Sequence, residues 1–394
     1  MAIDYGEVIS GAARSENINQ DGLVIDMEAQ SHLLEQNSYP FETLTRKINK
    51  IETTTRMKHE WREDRLMPNY MTMSAAAVAG ATTLTINDYN RIKIDNILFV
   101  PSTGERLLVQ TAPTTSTVTA GTLAGAGAGI VNAIANGAVI LNVGEAHAEG
   151  EEVPAAFSNE PISKYVYVMQ SDRRVQVTDI EESEKHYGDE KAQMRNRRKA
   201  FIAYKRDQNL LGYVGQSSRE VTSASGPRRH VCSGLIEMCT ENPIDLSDSG
   251  GKLSLATLSA IMGTVTLLND SGPKIGILGA NANTQISAWP VAVLRTVNGA
   301  DQTYGITVNE ILTGFGSLKV MYDPTLNAKY GLADRAFVLD IQRIKQLQLE
   351  GLPVKYFMAI PNLSNIHNKV DAISGTFGYM LSLPELHSAI EGIG

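Results

Sequence analysis

Hydrophobic and polar positions divide the chain into stretches of different period. Residues 1 to about 25 are polar with few periodic apolar positions, which predicts an arm with little structure of its own. Met27, Leu33 and Leu34 suit one face of a short helix from about Met27 to Leu34. Ser38-Tyr39-Pro40-Phe41 breaks it, and Phe41, Leu44 and Ile48 predict another turn or two. Thr53–Thr55 and the charged segment after it read as extended. From about Met71 to Phe157 the period falls to two: Thr83–Ile86, Ile92–Val100, Arg106–Val109, Thr115–Thr119 and Val139–Val143 read as strands, with Ser102–Glu105 as hairpin-turn chemistry. Five or so short strands can close into a small barrel or sandwich. The Gly121–Gly129 stretch is low in complexity and predicts a mobile connection.

Beyond Pro154 and Pro161, Tyr165–Gln170 and Arg174–Val177 are predicted strands. A single long helix is expected from Asp179 to Tyr213. Tyr187, Met194 and Phe201 recur every seven residues and Tyr204 and Leu211 join their side, an apolar stripe on a charged rod. Glu181, Glu182 and Glu184 open it and Arg195, Arg197, Arg198, Lys199, Lys205 and Arg206 fill its second half, an order that complements the helix dipole. Such a rod spans on the order of 50 Å. After Gly226-Pro227 an α/β region follows, with helices at Leu253–Leu268 and Asn281–Trp289. Its strands are expected at Lys274–Leu278, Ile306–Ile311, Leu318–Met321, Ala336–Asp340, Ile344–Leu349, Val354–Ala359 and Gly375–Leu381, the last leading into a C-terminal tail.

Composition narrows the class. At 394 residues, 43% hydrophobic and 20% charged, the chain has room for two or three folding units with cores of their own. A net charge of −8, spread along the chain, argues against a basic nucleic-acid-binding surface. Two cysteines are too few for a disulfide framework, which predicts a reducing, intracellular origin. The first residues carry no signal-peptide pattern, and the longest apolar run, Thr122–Val143, is interrupted by Asn132, Asn136 and Gly137, so no membrane span is expected.

Candidate chemistry is sparse. Gly125-x-Gly-x-Gly129 lacks the spacing of a phosphate fingerprint, and neither G-x-x-x-x-G-K-[ST] nor G-x-S-x-G occurs. His230, Cys232 and Cys239 come nearest to a metal cluster but show no fourth ligand, so buried or turn thiols are the plainer reading. Glu145, His147, Glu149, Glu151 and Glu152 could hold a divalent cation, yet they lack the order of a calcium loop; a solvated acidic loop is the plainer reading. Arg228-Arg229-His230 is a thin phosphate footprint, and an inter-subunit salt bridge serves as well. No cofactor and no catalytic or metal residue is expected.

The segment from Arg56 to Met73 is the most distinctive. It sets Trp61, one of two tryptophans, among Lys58, Glu60, Arg62, Glu63, Asp64 and Arg65 and stops at Pro68. An aromatic anchor with flanking charges can dock an extended arm on another copy; read alone, a solvated strand with one buried Trp is the plainer account. In a chain without an evident active site, inter-subunit contact becomes the better reading, with Trp61, Arg62, Glu63, Asp64, Arg65, Arg228 and Arg229 as candidate contact residues.

The order of arm, β-rich excursion, long helix, α/β region and returning strands resembles the major capsid proteins of tailed bacteriophages, of the Hong Kong 97 fold. Val24-Ile25-Asp26-Met27, Leu33-Leu34-Glu35-Gln36-Asn37, Pro40-Phe41-x-x-Leu44 and His59-Glu60-Trp61-Arg62-Glu63-Asp64 are similar to the N-terminal signature of one such family. Asn136–Val139 and Gly144–Gly150 are similar to its extended-loop insertion. The resemblance implies an α+β shell subunit with an arm (1–70), an extended loop with a small β-barrel-like insertion (71–160), a peripheral domain (161–240 and 336–394, with a spine helix at 179–213) and an axial domain (241–335). It implies pentamers and hexamers of an icosahedral or prolate head around double-stranded DNA, assembled in the host bacterial cytoplasm and localised to the virion. The implied partners are a scaffolding protein, a portal and a decoration protein, with no membrane; the start of the chain, without an obvious removable segment, suggests that the scaffold is separate. Encapsulins share the fold but lack a comparable insertion and are the neighbouring alternative. The alternatives from other classes are a metal- or carboxylate-dependent enzyme using Glu145–Glu152 and a tail or fibre component.

Overall fold

The computed structural model describes residues 39–48, 51–111, 113, 116–123, 128–147, 149–150, 158–184, 191–221, 228–267, 274–289, 294–296, 309–360 and 368–394. The predicted arm over 1–25 and the helix at Met27–Leu34 lie outside these residues, as do Tyr187, Glu151 and Glu152. Two compact units result. One runs from Trp61 to Lys164, and the other takes the chain up to Glu60 and from Tyr165 onward. The division falls within a two-stranded ribbon, Lys58–Glu63 beside Ile162–Tyr167.

The smaller unit holds a six-stranded antiparallel sheet, in the spatial order Tyr70–Thr72, Val139–Glu145, Asn96–Val100, Glu105–Val109, Thr117–Thr122, Thr83–Thr85. A bridge between Met73 and Ile86 joins its two edges, so the sheet closes on itself. Closure leaves few unpaired strand edges. Alternation then sorts the side chains. Met71, Leu84, Leu98, Val100, Leu107, Val109, Val118 and Ile140 fill the interior. The expected strand at Ile92–Val100 starts only at Asn96. A short 3-10 turn at Tyr89–Arg91 precedes it, Asp95 adopts a left-handed φ of 66°, and Asn96 accepts from the Lys93 N–H at 2.6 Å.

In the larger unit the central layer is a seven-stranded mixed sheet, ordered Pro243–Asp245, Ser388–Glu391, Ala336–Asp340, Lys274–Leu278, Gly316–Tyr322, Asn309–Thr313, Leu294–Thr296. Its central strands, Ala336–Asp340 and Lys274–Leu278, are buried on both faces, and their side chains alternate between two cores. Leu278, Val320 and Val338 meet the helices Leu255–Leu267 and Ala280–Ser287. Ile277, Met321, Phe337 and Leu339 meet Phe41, Tyr213 and Tyr379 on the other side. The expected division at 335/336 therefore cuts through one sheet, since Ala336–Asp340 pairs with Lys274–Leu278. The predicted C-terminal tail is also corrected: its end is the strand Ser388–Glu391, paired with 336–338 and 243–245.

A second, five-stranded sheet is organised by the 14-residue strand Asn368–Leu381. Met169–Thr178 pairs along 368–377 on one edge, and on the other edge Lys355–Ile360 pairs along 370–374 and Ile344–Leu347 along 378–381. Glu52–Thr54 adds a parallel edge. Against this sheet packs the long helix Ala192–Val214, through Ala200 and Tyr204 on Val175 and Ile373.

That helix corrects two expectations. It does not begin at Asp179: a separate turn, Asp179–Ser183, is capped by Thr178, and Glu184 and Lys191 are both extended. The sequence between them holds Gly188 and Asp189, poor helix formers. Its 23 residues give a rod of about 35 Å, not 50. Its seven-residue apolar repeat also does not face the core. Met194 and Phe201 are 56% and 48% exposed, whereas the buried face carries Gln193, Ala200, Tyr204, Gln208, Asn209, Gly212 and Tyr213.

Hydrogen bonds explain why that face is polar. Arg197 grips buried Asp371 of the long strand with two bonds, 2.7 and 3.1 Å, and Gln193 adds a third at 2.7 Å. One turn from the helix end, Asp323 accepts from Tyr213 Oη at 2.6 Å and Asn209 Nδ2 at 3.0 Å. Asn209 also accepts from the Glu42 N–H at 3.0 Å, which ties the first helix, Pro40–Ile48, to the long one. Gly212 lets the helices approach, because a Cβ there would lie 2.4 Å from Phe41 Cε1 in a ring cluster with Tyr213 and Tyr379.

Removing Asp323 takes its carboxylate from three buried donors, Tyr213 Oη, Asn209 Nδ2 and the Thr325 N–H, so Asp323→Ala is expected to cost about 3 kcal/mol in denaturant unfolding. Arg173→Ala, which removes a part-exposed ion pair with Asp207, is expected to cost less than about 0.5 kcal/mol. Equal losses would contradict this ranking.

Candidate assembly surfaces

The charged Trp61 segment forms one strand of the ribbon, and its alternation divides the candidate contact residues. Lys58, Glu60 and Arg62 are exposed, His59 and Trp61 half-buried, and Glu63 buried. Glu63 accepts from Trp61 Nε1 at 2.9 Å through one carboxylate oxygen and from Arg65 Nη2 at 3.1 Å through the other. Asn159 in turn donates to the Arg65 carbonyl. On the ribbon's other face Lys58 pairs with Glu60 and lies 4.3 Å from the centre of the Tyr165 ring. The Lys58 hydrogen bond holds the Glu60 carboxyl below its usual range.

Trp61, Glu63 and Arg65 thus form one clasp within the chain, while Arg62 and Asp64 are exposed. Sequence spacing signals the clasp only in retrospect: 61, 63 and 65 alternate onto one side of an extended segment. Arg228 and Arg229 belong to the larger unit, in the hairpin Ser218–Val221 and Arg228–Val231. Arg229 is exposed, and the neighbouring His230 ring stacks on Tyr167 at 5.2 Å.

The other candidate chemistry resolves into structural roles. Cys232 and Cys239 are core residues whose thiols burial pushes up to about 12. Glu145 lies within 3.7 Å of Lys93 Nζ and 3.2 Å of His147, and His147 lies 3.6 Å from Asp95. Among the described residues no group of three or more His, Cys, Asp or Glu side chains could hold a metal ion. No described helix is long and apolar enough to cross a membrane.

Two apolar surfaces face outward; the first gave no signal in the sequence, and the second is the predicted helix stripe, whose outward direction the sequence did not show. In the closed sheet Tyr70, Leu141, Phe99 and Arg106 are successive cross-strand partners and share the outer face, opposite the interior row that includes Leu98 and Leu107. Val139 and Ile97 extend this face, and Val143, 66% exposed, sits where the ladder shifts register. The remaining outer wall carries Thr83, Thr85, Thr117 and Thr119. One wall is apolar and one is threonine-rich although both enclose the same core. The second surface is the long helix's outer face, where Lys191, Met194, Arg198, Phe201 and Lys205 follow at spacings of three and four. Lys205 Nζ lies 5.0 Å from the centre of the Phe201 ring.

Apolar area left outside well-filled cores marks surfaces that can meet other proteins. A family model described as the SU10 major capsid protein matches residues 14–393, and the chain belongs to that family. It is a structural subunit of a phage head shell, located in the virion capsid, as the resemblance of the N-terminal segments implied. No curated protein matches it. Among solved structures it is similar to a chain of the capsid of Cyanophage P-SCSP1u, at 9% identity over 94% of this chain and 93% of that one, with a TM-score of 0.49. A chain of Mycobacterium phage Cain gives 9% identity, 94% and 92% coverage and a TM-score of 0.45. The holo-SrpI encapsulin complex from Synechococcus elongatus PCC 7942 gives 10%, 60% and 78%, and 0.40.

Because Glu63 satisfies two neighbours from a buried position, Glu63→Ala is expected to lower stability by about 1–2 kcal/mol in thermal unfolding. Arg62→Ala and Asp64→Ala should stay within about 0.5 kcal/mol. A neutral Glu63→Ala would show that the clasp contributes little.

Proposed function

We propose that copies of this chain form the pentamers and hexamers of a closed head around double-stranded DNA, in the Hong Kong 97-type arrangement. Membership of a major capsid family over residues 14–393 carries this reading. The family assignment favours a phage head over an encapsulin compartment. The five-stranded sheet with the long helix fits the peripheral domain and the seven-stranded sheet with its two helices the axial domain, so residues 336–340 and 388–391 go with the axial part. The closed sheet of the smaller unit fits an insertion in the extended loop, and the residues before it an arm that reaches a neighbour. Scaffolding, portal and decoration proteins are the partners this assembly calls for, and the host cytoplasm is its place of assembly.

Contacts between copies are assigned to the faces the folded chain leaves available: Trp61 with the exposed Arg62 and Asp64, Arg229 on its hairpin, and the Met194–Phe201 stripe. Glu63 and Arg65 then hold Trp61 in place rather than reach a neighbour. Arg228 accompanies Arg229 as a candidate salt-bridge partner between copies.

Electron microscopy of the purified full chain, with and without a scaffolding protein, is the test. Closed shells with five-fold vertices are expected, and a persistent monomer under every assembly condition would overturn the proposal. Trp61→Ala is expected to stay soluble and folded but to shift material from the shell fraction to small species in sedimentation. Normal shells from that variant would remove Trp61 from the contact.

A further inference from the structure

At the junction of the two sheets of the larger unit lies a buried titratable cluster that the assembly surfaces do not use. Asp340 ends a central strand of the seven-stranded sheet, and Ser382 follows the long strand of the five-stranded one. His387, fully buried, stands between them. Its Nδ1 lies 3.1 Å from the Asp340 backbone N–H, which can only donate, and its Nε2 lies 3.2 Å from the Ser382 carbonyl, which can only accept. The ring is therefore the neutral tautomer with its proton on Nε2.

The surroundings are charged but closed. Lys274 Nζ donates to Asp340 Oδ2 at 3.1 Å and to the Leu386 carbonyl at 3.4 Å, and Asp340 Oδ1 accepts from the Gln342 N–H at 3.0 Å. Arg343 adds a second positive charge from the adjoining turn. The Asn242 amide, which is neutral, donates to the Glu385 and His387 carbonyls. Burial above all, then Lys274 and Arg343, push the His387 imidazole down to about 4, against the Ser382 carbonyl and the Asp340 carboxylate. The turn itself is not relaxed: Leu383 has φ 53°, a left-handed conformation disfavoured for a residue with a side chain. Its contacts hold it, not its own preference.

We propose that His387 is a proton-operated latch between the two sheets. A proton on Nδ1 sets a donor against the Asp340 N–H, breaks that bond and frees the 382–387 turn from the strand Ala336–Asp340. Because the folded-state value lies below the ordinary 6.5, the latch's contribution is complete above about pH 6.5 and is lost as pH falls toward about 4.

The test is hydrogen exchange of the full chain by mass spectrometry from pH 7 to 4, corrected for intrinsic rates. Peptides spanning 336–343 and 382–391 are expected to lose protection, by tenfold or more, while those over 255–267 and 316–322 keep theirs. Arg343→Gln removes a charge that opposes protonation, so it should move the midpoint to higher pH. In His387→Asn, whose amide oxygen can still accept from the Asp340 N–H, the transition should vanish. Unchanged protection at pH 4, simultaneous loss across the whole unit, or an identical midpoint in Arg343→Gln would overturn the latch. Should His387→Asn not fold, the wild type and Arg343→Gln decide between these outcomes.

Discussion

One buried carboxylate ties together the parts of the larger unit. Asp323 leaves the seven-stranded sheet just after Tyr322 and takes hydrogen bonds from Tyr213 and Asn209, both on the long helix. Asn209 passes the connection to the first helix through the Glu42 N–H and reaches Thr325 on the sheet side at 2.7 Å. Burial first, then the Asp323 charge, hold the Tyr213 phenol well above its ordinary value, so it stays protonated and donating. Aromatic packing of Phe41 on Tyr213 and Tyr379 covers the network and excludes the water that would compete for it. A set of buried polar bonds defines one registry, where an apolar interface alone would tolerate sliding.

The Asp371 network does for the five-stranded sheet what Asp323 does for the seven-stranded one. Both carboxylates take their partners from the buried side of the same helix, and both leave its other side outside the core. That allocation is why Met194 and Phe201 are exposed. The positions that ought to be apolar for a core-facing helix are polar because they hold two sheets in place. The apolar ones, Met194 and Phe201, lie on the outer side.

Closure has a similar consequence in the smaller unit. Pairing 70–72 to 139–145 at one end of the strand order, and bridging Met73 to Ile86 across the gap, satisfies the backbone and fills the interior. The outer walls are then free to differ, and they do: a row running from Tyr70 to Arg106 beside a wall of threonines. Stability comes from the inner set of every strand, so the outer set is free to vary.

How much of this was legible in the sequence depends on how local each decision was. Period-two alternation located strands such as Thr83–Thr85 and Glu105–Val109, because inward and outward positions differ in chemistry along each one, while Lys274–Leu278 was legible as a short buried run. The helix at Leu255–Leu267 followed from its apolar spacing. The order of these elements and the Trp61 box carried the family. The long helix misled, because its buried face is made of Gln193, Asn209 and Tyr213, whose burial depends on Asp371 and Asp323 more than a hundred residues away. The charges around Trp61 were expected to face a neighbour, yet Glu63 turns inward to hold Trp61 and Arg65. His387 gave no signal at all, since its two acceptor and donor partners come from different strands. The sequence by itself determined the element types and the α+β class, which rest on local spacing. Only the tertiary structure decided which face of each element is buried, because that choice belongs to hydrogen-bond partners brought together from distant parts of the chain.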